Sequence, residues 1–194
     1  MKNINYYLEL LKKKDLYTYL HCLRVSYYSC LIGICINLSN EELLRLINAS
    51  LLHDIGKLLI PKDILNKKQK LTYDELNIIK KHTIYAKEIL SKDCDDIIDD
   101  IICHHERLDG SGYPYHLKNI SLNARIIAIA DSFDAMTSNR GYNKVLSYEE
   151  AFSELFKCSK NGMYDSYLIE KFYENFNNNL YINNQKNKTL LNIQ

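Results

Sequence analysis

The amino-acid sequence predicts an all-α fold in a single domain, and three observations support this prediction. Apolar side chains recur every three or four residues along most of the chain, as they do on one face of a helix. The 194 residues include only two prolines and six glycines, so long stretches are free to be helical. No segment alternates apolar and polar residues convincingly, as a half-buried strand would.

The first predicted helix is marked by an apolar and aromatic stripe that contains one histidine. The stripe comprises Tyr17, His21, Arg24, Val25 and Tyr28. Three later helices are expected to begin at capping boxes, in which Ser or Thr stands three residues before Glu. The pairs are Ser39 and Glu42, Thr72 and Glu75, and Ser147 and Glu150.

Three further helices are predicted over about residues 95–106, 122–138 and 166–176, which makes about seven helices in total. Between the first two of these lies the stretch Asp109–Pro114, which is too rich in Gly and Pro for a helix and is expected to be a loop. Residues 177–194 are rich in Asn and Lys, and we expect a polar, frayed or disordered tail there.

The composition excludes several classes of function. The formal net charge is +1, so no global charge favours DNA, RNA or an anionic membrane as partner. The most apolar stretch, residues 27–36, is about half the length of a membrane span of ~20 residues. The six cysteines show no C-x-x-C spacing, and with no visible secretory signal we expect reduced thiols in the cytoplasm.

Histidines and aspartates recur where the predicted helices approach the core. The set comprises His21, His53, Asp54, His82, His104, His105 and Asp131. A single histidine on an apolar face is more often a hydrogen-bonded core residue than a ligand. Seven such groups would be costly to bury together, at about 1–3 kcal/mol for each uncompensated group, and shared metal coordination offsets that cost.

The mixture of imidazole and carboxylate without thiolate suits Fe, Mn, Zn, Ni or Co. A carboxylate can bridge two metal ions, and Asp54 beside His53 is well placed for this. Two adjacent cations activate water and polarise a phosphoryl oxygen, which is what hydrolysis of a phosphodiester requires. Lys57 is either an ordinary helix-end lysine or, next to such a cluster, a phosphate contact.

Four sequence features together resemble one known family, the HD-GYP cyclic di-GMP phosphodiesterases. They are His53-Asp54, Gly56-Lys57, His82, and the stretch from His104 to Pro114. That stretch has the form HHExxDGxGYP without a substitution at its fixed positions, so the match is far more specific than the His-Asp pair alone. The similarity covers nearly the whole chain, from about residue 21 to residue 172.

The resemblance implies a helical catalytic domain of the HD type over residues 1–176, with a Gly-rich loop and two divalent metal ions. Fe or Mn is expected first, with Zn, Ni or Co as alternatives. One ion would be bound by His21, His53, Asp54 and Asp131. The other would be bound by Asp54, His82, His104 and His105, so that Asp54 bridges the two.

The same resemblance implies a catalytic role for Lys57 as well as for Asp54, because Lys57 would hold a phosphate oxygen of the substrate. Gly112 and Tyr113 in the Gly-rich loop are further candidates for substrate contact. Asp134 and Arg140 match family positions near the substrate, and Arg suits bidentate contacts to phosphate or guanine.

Two departures from the family pattern affect the prediction. Members with a third metal carry Glu four residues before the first histidine, and here that residue is Tyr17. A phenol with a pKa near 10 is a poor substitute, so two metals are predicted. Asn143 replaces a basic residue, which weakens one expected phosphate contact.

The leading hypothesis is hydrolysis of cyclic di-GMP to pGpG, with further hydrolysis to GMP left open. A second hypothesis keeps the metals and changes the substrate to cyclic GMP–AMP or to pGpG. A third is a dinucleotide-binding signalling module with weak catalysis. Oligomeric state is not readable from the sequence, so a homodimer and a signalling partner protein both remain open.

Overall fold

The computed structural model describes residues 4–90, 94–139 and 145–177, and these residues form helices joined by turns and loops. None of the described residues lies in a β-strand, which confirms the predicted all-α class. The α-helices are α1 (Ile4–Lys14), α2 (Leu16–Cys35), α3 (Asn40–Leu52), α4 (Lys62–Leu65), α5 (Tyr73–Lys80), α6 (His82–Ile89), α7 (Ile98–Ile102), α8 (Leu122–Thr137), α9 (Tyr148–Lys160) and α10 (166–177). A 3₁₀ helix, Ile55–Leu59, follows α3.

Local sequence signals account for the helix starts. All three predicted capping boxes are formed, at the beginnings of α3, α5 and α9. The start of α2 is capped by Asp15, whose carboxylate accepts a hydrogen bond from the backbone N–H of Thr18 at 2.8 Å. Each cap satisfies a backbone donor that has no partner within its helix.

The core forms where α2 packs against α3 and α8, and α8 packs in turn against α9. Phe133 of α8 is fully buried at the centre of an aromatic cluster. Its ring lies 4.8–5.5 Å from four other rings, at distances typical of edge-to-face packing. The four are Tyr28, Phe152, Phe172 and Phe176. This cluster joins α2, α8, α9 and α10 into one unit.

The structure differs from the predicted elements in four places. α1 and α4 were not predicted, and the described residues form ten α-helices where about seven were expected. The helix expected from Thr72 to Leu90 is broken at Lys81 into α5 and α6, and the helix expected over 95–106 is confined to Ile98–Ile102. The predicted tail beyond residue 177, and the predictions for Arg140 and Asn143, lie outside the described residues.

No helix among the described segments has both the length and the apolar character needed to cross a bilayer. α2, which is 20 residues long, packs into the bundle through one of its faces.

Gly56 allows the 3₁₀ helix to approach α6 closely. A Cβ atom built on Gly56 would lie 1.8 Å from the backbone oxygen of His82, and that oxygen cannot move away without moving α6. Any larger residue at this position would therefore clash with α6. The close contact between Gly56 and His82 holds the His53-Asp54 turn against the start of α6.

We expect Gly56→Ala to lower the free energy of unfolding by at least about 1–3 kcal/mol, the usual cost of overpacking. The substitution forces two backbone segments apart, so urea unfolding followed by circular dichroism should show a lower midpoint. Gly33→Ala is the matched control, because its added Cβ would meet only the ends of leucine side chains. Equal destabilisation by the two substitutions would contradict this account of Gly56.

Candidate metal centre

Helix ends and the middles of two helices bring the seven predicted ligands to one place in the bundle. Asp54 follows the C-cap residue of α3, His82 begins α6 directly after the break at Lys81, and His104 follows α7. His21 and Asp131 point in from the middles of α2 and α8. All seven are buried except His105, whose side chain is 18% exposed.

The ligand atoms form two groups, each with its members within 4.8 Å of one another. The first group comprises His21, His53 and Asp54. The second comprises His82, His104 and His105.

Asp54 connects the two groups through its two carboxylate oxygens. Oδ2 lies 3.5 Å from the Nε2 atoms of both His21 and His53. Oδ1 faces the other group, 3.4 Å from Nε2 of His82. Asp131 lies between the groups in a similar way, 3.1 Å from Nε2 of His21 and 3.8 Å from Nδ1 of His105. Asp54 therefore contacts both groups, and its predicted bridging of two metal ions stays a prediction.

Three histidines are oriented by the same local device. Nδ1 of each ring lies 2.6–2.7 Å from the backbone oxygen three residues earlier, for His53, His82 and His104 alike. A carbonyl oxygen only accepts, so Nδ1 carries the proton in each ring. A neutral imidazole has one N–H, and Nε2 is therefore left as a bare acceptor directed into the site.

Two of these bare acceptors have no partner among the described residues, since Nε2 of His82 and Nε2 of His104 are buried without a hydrogen bond. Nε2 of His53 is paired with Nε2 of His21 at 3.3 Å. Lone pairs that converge in this way repel each other unless a proton or a cation lies between them. The donor set therefore fits divalent first-row metals, and residues of both groups could hold such ions.

Electrostatics keep the carboxylates charged and most of the imidazoles neutral. Burial lowers the pKa of His53, His104 and His105 and brings that of His82 to about 4. Burial alone would raise the pKa of Asp54, but Lys57 and His53 outweigh it and hold that pKa well below its ordinary value. Neutral imidazole and ionised carboxylate are the forms that bind metal.

His21 differs from the other histidines because a carboxylate occupies its Nδ1. That atom lies 2.7 Å from Oδ2 of Asp134, which is fully buried. Burial lowers the pKa of His21, but hydrogen bonds to Asp131 and Asp134 outweigh it and leave the pKa above its ordinary value. Arg24 donates to both oxygens of Asp134, at 2.6 and 3.1 Å.

Asp134 was predicted to lie near the substrate, and the structure places it behind His21 instead. Its carboxylate is occupied by His21, Arg24 and Ser138 and has no exposed surface. Sequence reasoning missed the role of Arg24, although Arg24 stands three residues after His21 and shares its stripe. The signal was the spacing, since residues three apart on a helix point to the same side.

Lys57 lies at the edge of the centre, with Nζ 2.5 Å from Oδ2 of Asp54. The sequence predicts a phosphate contact for this ammonium group. Its side chain is 19% exposed, so it connects the buried ligands to the protein surface.

The Gly-rich loop is held together mainly by its own residues. Glu106 is buried and accepts hydrogen bonds from the backbone N–H groups of Tyr115 and Leu117, at 2.6 and 3.0 Å. A Cβ on Gly112 would lie 2.4 Å from Cα of Glu106, so the glycine serves close packing within the loop. The Tyr113 ring lies 4.7 Å from the ring of His105, at the mouth of the second group.

A groove of about 380 Å³ lies beside the centre and shares Lys57 with it. Its other walls come from the start of α2 and from the segment after α4, and they include two further lysines, Lys67 and Lys68. Lys67 is neutralised by Glu75, with Nζ 2.7 Å from both carboxylate oxygens.

Comparison with known proteins identifies the family. The model of the HD domain family matches residues 9–168. A cyclic di-GMP phosphodiesterase of Thermotoga maritima is 39% identical to this chain over 165 residues, covering 82% of the chain and 45% of the relative. The chain belongs to the HD-GYP family of HD-domain proteins. This confirms the resemblance found in the sequence.

Two further similarities concern substrate and fold. The 3'3'-cGAMP-specific phosphodiesterase 2 of Vibrio cholerae is 36% identical, over 80% of this chain and 31% of that protein. The crystal structure of the HD domain of the phosphodiesterase PgpH of L. monocytogenes superimposes with a TM-score of 0.67 at 20% identity. That match covers 90% of this chain and 98% of that domain, and it shows the shared fold. The chain spans less than half the length of these curated relatives and of others that it matches.

We expect Asp134→Asn to weaken metal binding by about 10- to 100-fold, as loss of a hydrogen-bond partner behind a ligating histidine usually does. The amide cannot replace the charged acceptor of both His21 and Arg24. Titration with Mn²⁺, followed by calorimetry, measures the change in the dissociation constant.

Asp165→Asn is the control for this substitution, because Asp165 forms a comparable pair with Arg125 at 2.7 Å outside the centre. Unchanged Mn²⁺ affinity in Asp134→Asn, with the fold intact by circular dichroism, would show that Asp134 does not orient His21 for metal binding.

Proposed function

We propose that this chain is a metal-dependent phosphodiesterase that hydrolyses a cyclic dinucleotide, with cyclic di-GMP as its expected substrate. The observation that carries the proposal is the pair of ligand groups connected by the two oxygens of Asp54. The expected product is the linear dinucleotide pGpG, with hydrolysis onward to GMP as a further expectation. The T. maritima relative, which is named a cyclic di-GMP phosphodiesterase, supports the same substrate.

Two divalent ions are proposed, with Fe or Mn expected first and Zn, Ni or Co as alternatives. His21, His53, Asp54 and Asp131 would hold one ion, and Asp54, His82, His104 and His105 would hold the other. When bound, such a pair supplies a nucleophile from water at neutral pH and neutralises charge on the phosphoryl oxygens. Two buried carboxylates leave the bound pair with excess positive charge, which suits an anionic substrate.

The residues of the chain perform the remaining tasks. Lys57 presents an ammonium group beside Asp54 at a partly exposed edge of the cluster, and a phosphate oxygen there would gain a charge-assisted hydrogen bond. Burial of the imidazoles excludes bulk water from the rest of the site, which strengthens each electrostatic contact. Asp134 and Arg24 hold His21 in place from behind.

We propose that the second nucleotide of the substrate lies in the groove that shares Lys57 with the centre. A volume of about 380 Å³ is within the range of small-molecule sites. Lys57 and Lys67 each have a carboxylate partner, whereas Lys68 is exposed, and no ion pair of Lys68 occurs among the described residues. Lys68 is thus the groove lysine whose charge is most available to a distant phosphate.

A second candidate substrate is 3'3'-cGAMP, because the V. cholerae relative that carries this name is almost as similar as the T. maritima relative. Both substrates contain two phosphodiesters in one ring. The phosphate chemistry described above applies to either, and the distinction depends on contacts to the bases.

We expect metal-loaded protein, purified without oxygen, to convert cyclic di-GMP to pGpG, as measured by liquid chromatography. Asp54→Asn should reduce turnover by about 10²-fold or more, because the loss affects both ligand groups. Asp63→Asn, an exposed carboxylate on α4, should change nothing. Competition between cyclic di-GMP and 3'3'-cGAMP in one preparation ranks the substrates.

Failure to turn over either nucleotide with Fe, Mn, Ni and Zn would refute the enzymatic proposal. Nucleotide binding without product under those conditions would instead support the binding module considered in the sequence analysis.

We also expect Lys68→Ala to raise KM for the cyclic dinucleotide by about five- to tenfold and to leave kcat almost unchanged, since one exposed phosphate contact contributes about 1 kcal/mol. Hydrolysis of bis(p-nitrophenyl) phosphate, which has no second phosphate, should be unaffected. Lys70→Ala is the control, because Lys70 is exposed but does not line the groove. Equal effects of Lys68→Ala on both substrates would exclude a distant phosphate contact.

A further inference from the structure

A row of apolar side chains runs along the outer face of α2, away from the face that carries His21. The row, which we call the α2 seam, comprises Leu16, Leu20, Leu23, Tyr27, Cys30 and Ile34. Cys30 is partly exposed, and the other five residues are 55%, 42%, 36%, 59% and 52% exposed in chain order. Their successive spacings alternate between four and three residues, which is the heptad pattern of helices that pack against each other.

No charged side chain of α2 itself lies over the α2 seam. α2 contains one arginine, and Arg24 is turned inward to Asp134. A surface helix normally presents a charged or polar outer face, and a helix that is apolar on both faces is normally buried on both. α2 packs against α1, α3 and α8, yet five seam residues stay 36–59% exposed, so no element in the described part of the chain covers the outer face completely.

We propose that a second copy of this chain covers the α2 seam, so that two α2 helices pack antiparallel in a symmetric homodimer. The proposal concerns assembly and goes beyond the proposed phosphodiesterase activity. It rests on the spacing of the seam, its exposed area and the charges at its two ends.

The exposed area is of the size that a dimer needs. The seam extends over about 27 Å at 1.5 Å per residue. With about 200 Å² for each fully exposed large apolar residue, the exposed fractions amount to on the order of 500 Å² per copy. A standard interface buries about 800 Å² per partner, and the polar rim along both sides of a helix pair supplies the difference.

The charges at the ends of the seam favour the antiparallel arrangement. Lys12 and Lys13 are exposed just before the N-terminal end of α2, and Glu41 and Glu42 are exposed shortly after its C-terminal end. A parallel pair would place the lysines of both copies together. An antiparallel pair places the lysines of one copy near the glutamates of the other, and it also opposes the two helix dipoles.

The symmetry also determines the register. The centre of the seam lies between Leu23 and Tyr27, so a two-fold axis there sets Leu23 of one copy against Tyr27 of the other. Leu20 then faces Cys30, and Leu16 faces Ile34. In heptad terms each of these pairs joins an a position to a d position, as antiparallel helix pairs do.

The first experiment measures oligomeric state by sedimentation velocity between about 1 and 100 µM. The full-length chain should be dimeric in this range, and the variant Leu20→Glu with Leu23→Glu should be monomeric, with a dissociation constant raised at least about 30-fold. The control is Leu76→Glu, since Leu76 is 42% exposed but lies on α5. Circular dichroism checks that both variants fold.

The second experiment tests the register by cross-linking. Under diamide, which oxidises two thiols to a disulfide, Leu20→Cys should form a covalent dimer through the native Cys30 of the other copy. Adding Cys30→Ser to that variant should abolish the product. The unmodified chain should not cross-link through Cys30, because an antiparallel pair holds the two copies of Cys30 far apart.

Three results would overturn the proposal. They are a monomer over the whole concentration range, a dimer that survives both glutamate substitutions, and a Cys30-to-Cys30 dimer of the unmodified chain, which requires parallel helices. Each is measured without substrate, so the outcome is independent of whether the chain hydrolyses a cyclic dinucleotide.

Discussion

The structure depends on several nitrogen and oxygen atoms with lone pairs that converge at one buried point. Nε2 atoms of His21 and His53 face each other at 3.3 Å, and both oxygens of Asp54 point into the same space. Such a set is repulsive unless positive charge lies within it. A metal centre is the arrangement that satisfies every donor at once, and the bundle supplies the rigidity that keeps the donors in place.

Helix termination is what makes this convergence possible. The last carbonyl groups of a helix have no intrahelical partner, and three histidines use them. His53, His82 and His104 each stand just beyond or at a helix boundary and direct Nδ1 to the carbonyl three residues earlier. One hydrogen bond thereby satisfies a backbone acceptor, selects the tautomer and points Nε2 into the site. The break at Lys81 has the same effect. In an uninterrupted helix over residues 72–90, the carbonyl group of Ile79 would be hydrogen-bonded within the helix and would be less available to His82.

The sequence predicted most where the residue type itself indicates a chemical role, as His and Asp indicate metal binding. The seven His and Asp positions that the structure brings together were all recognised in the sequence, and the motif from His104 to Pro114 was sufficient to predict the family. The partnership of Asp134 with Arg24 was not predicted, because residues 110 positions apart are brought together only by the packing of α2 against α8. The steric requirement for glycine at position 56 could not be predicted from the sequence either, since it depends on how closely the backbone of α6 approaches.

α2 shows how one helix serves two demands. Its inner face carries His21 and packs on the bundle, so substitutions there affect the centre and the core together. Its outer face carries none of the ligand residues, so substitutions there separate the proposed assembly from the centre. Under the proposed function, selectivity between cyclic di-GMP and 3'3'-cGAMP depends on residues outside the ligand set, because relatives of similar identity carry the names of different substrates. The groove walls around Lys68 lie outside that set, since none of the seven ligand residues lines the groove.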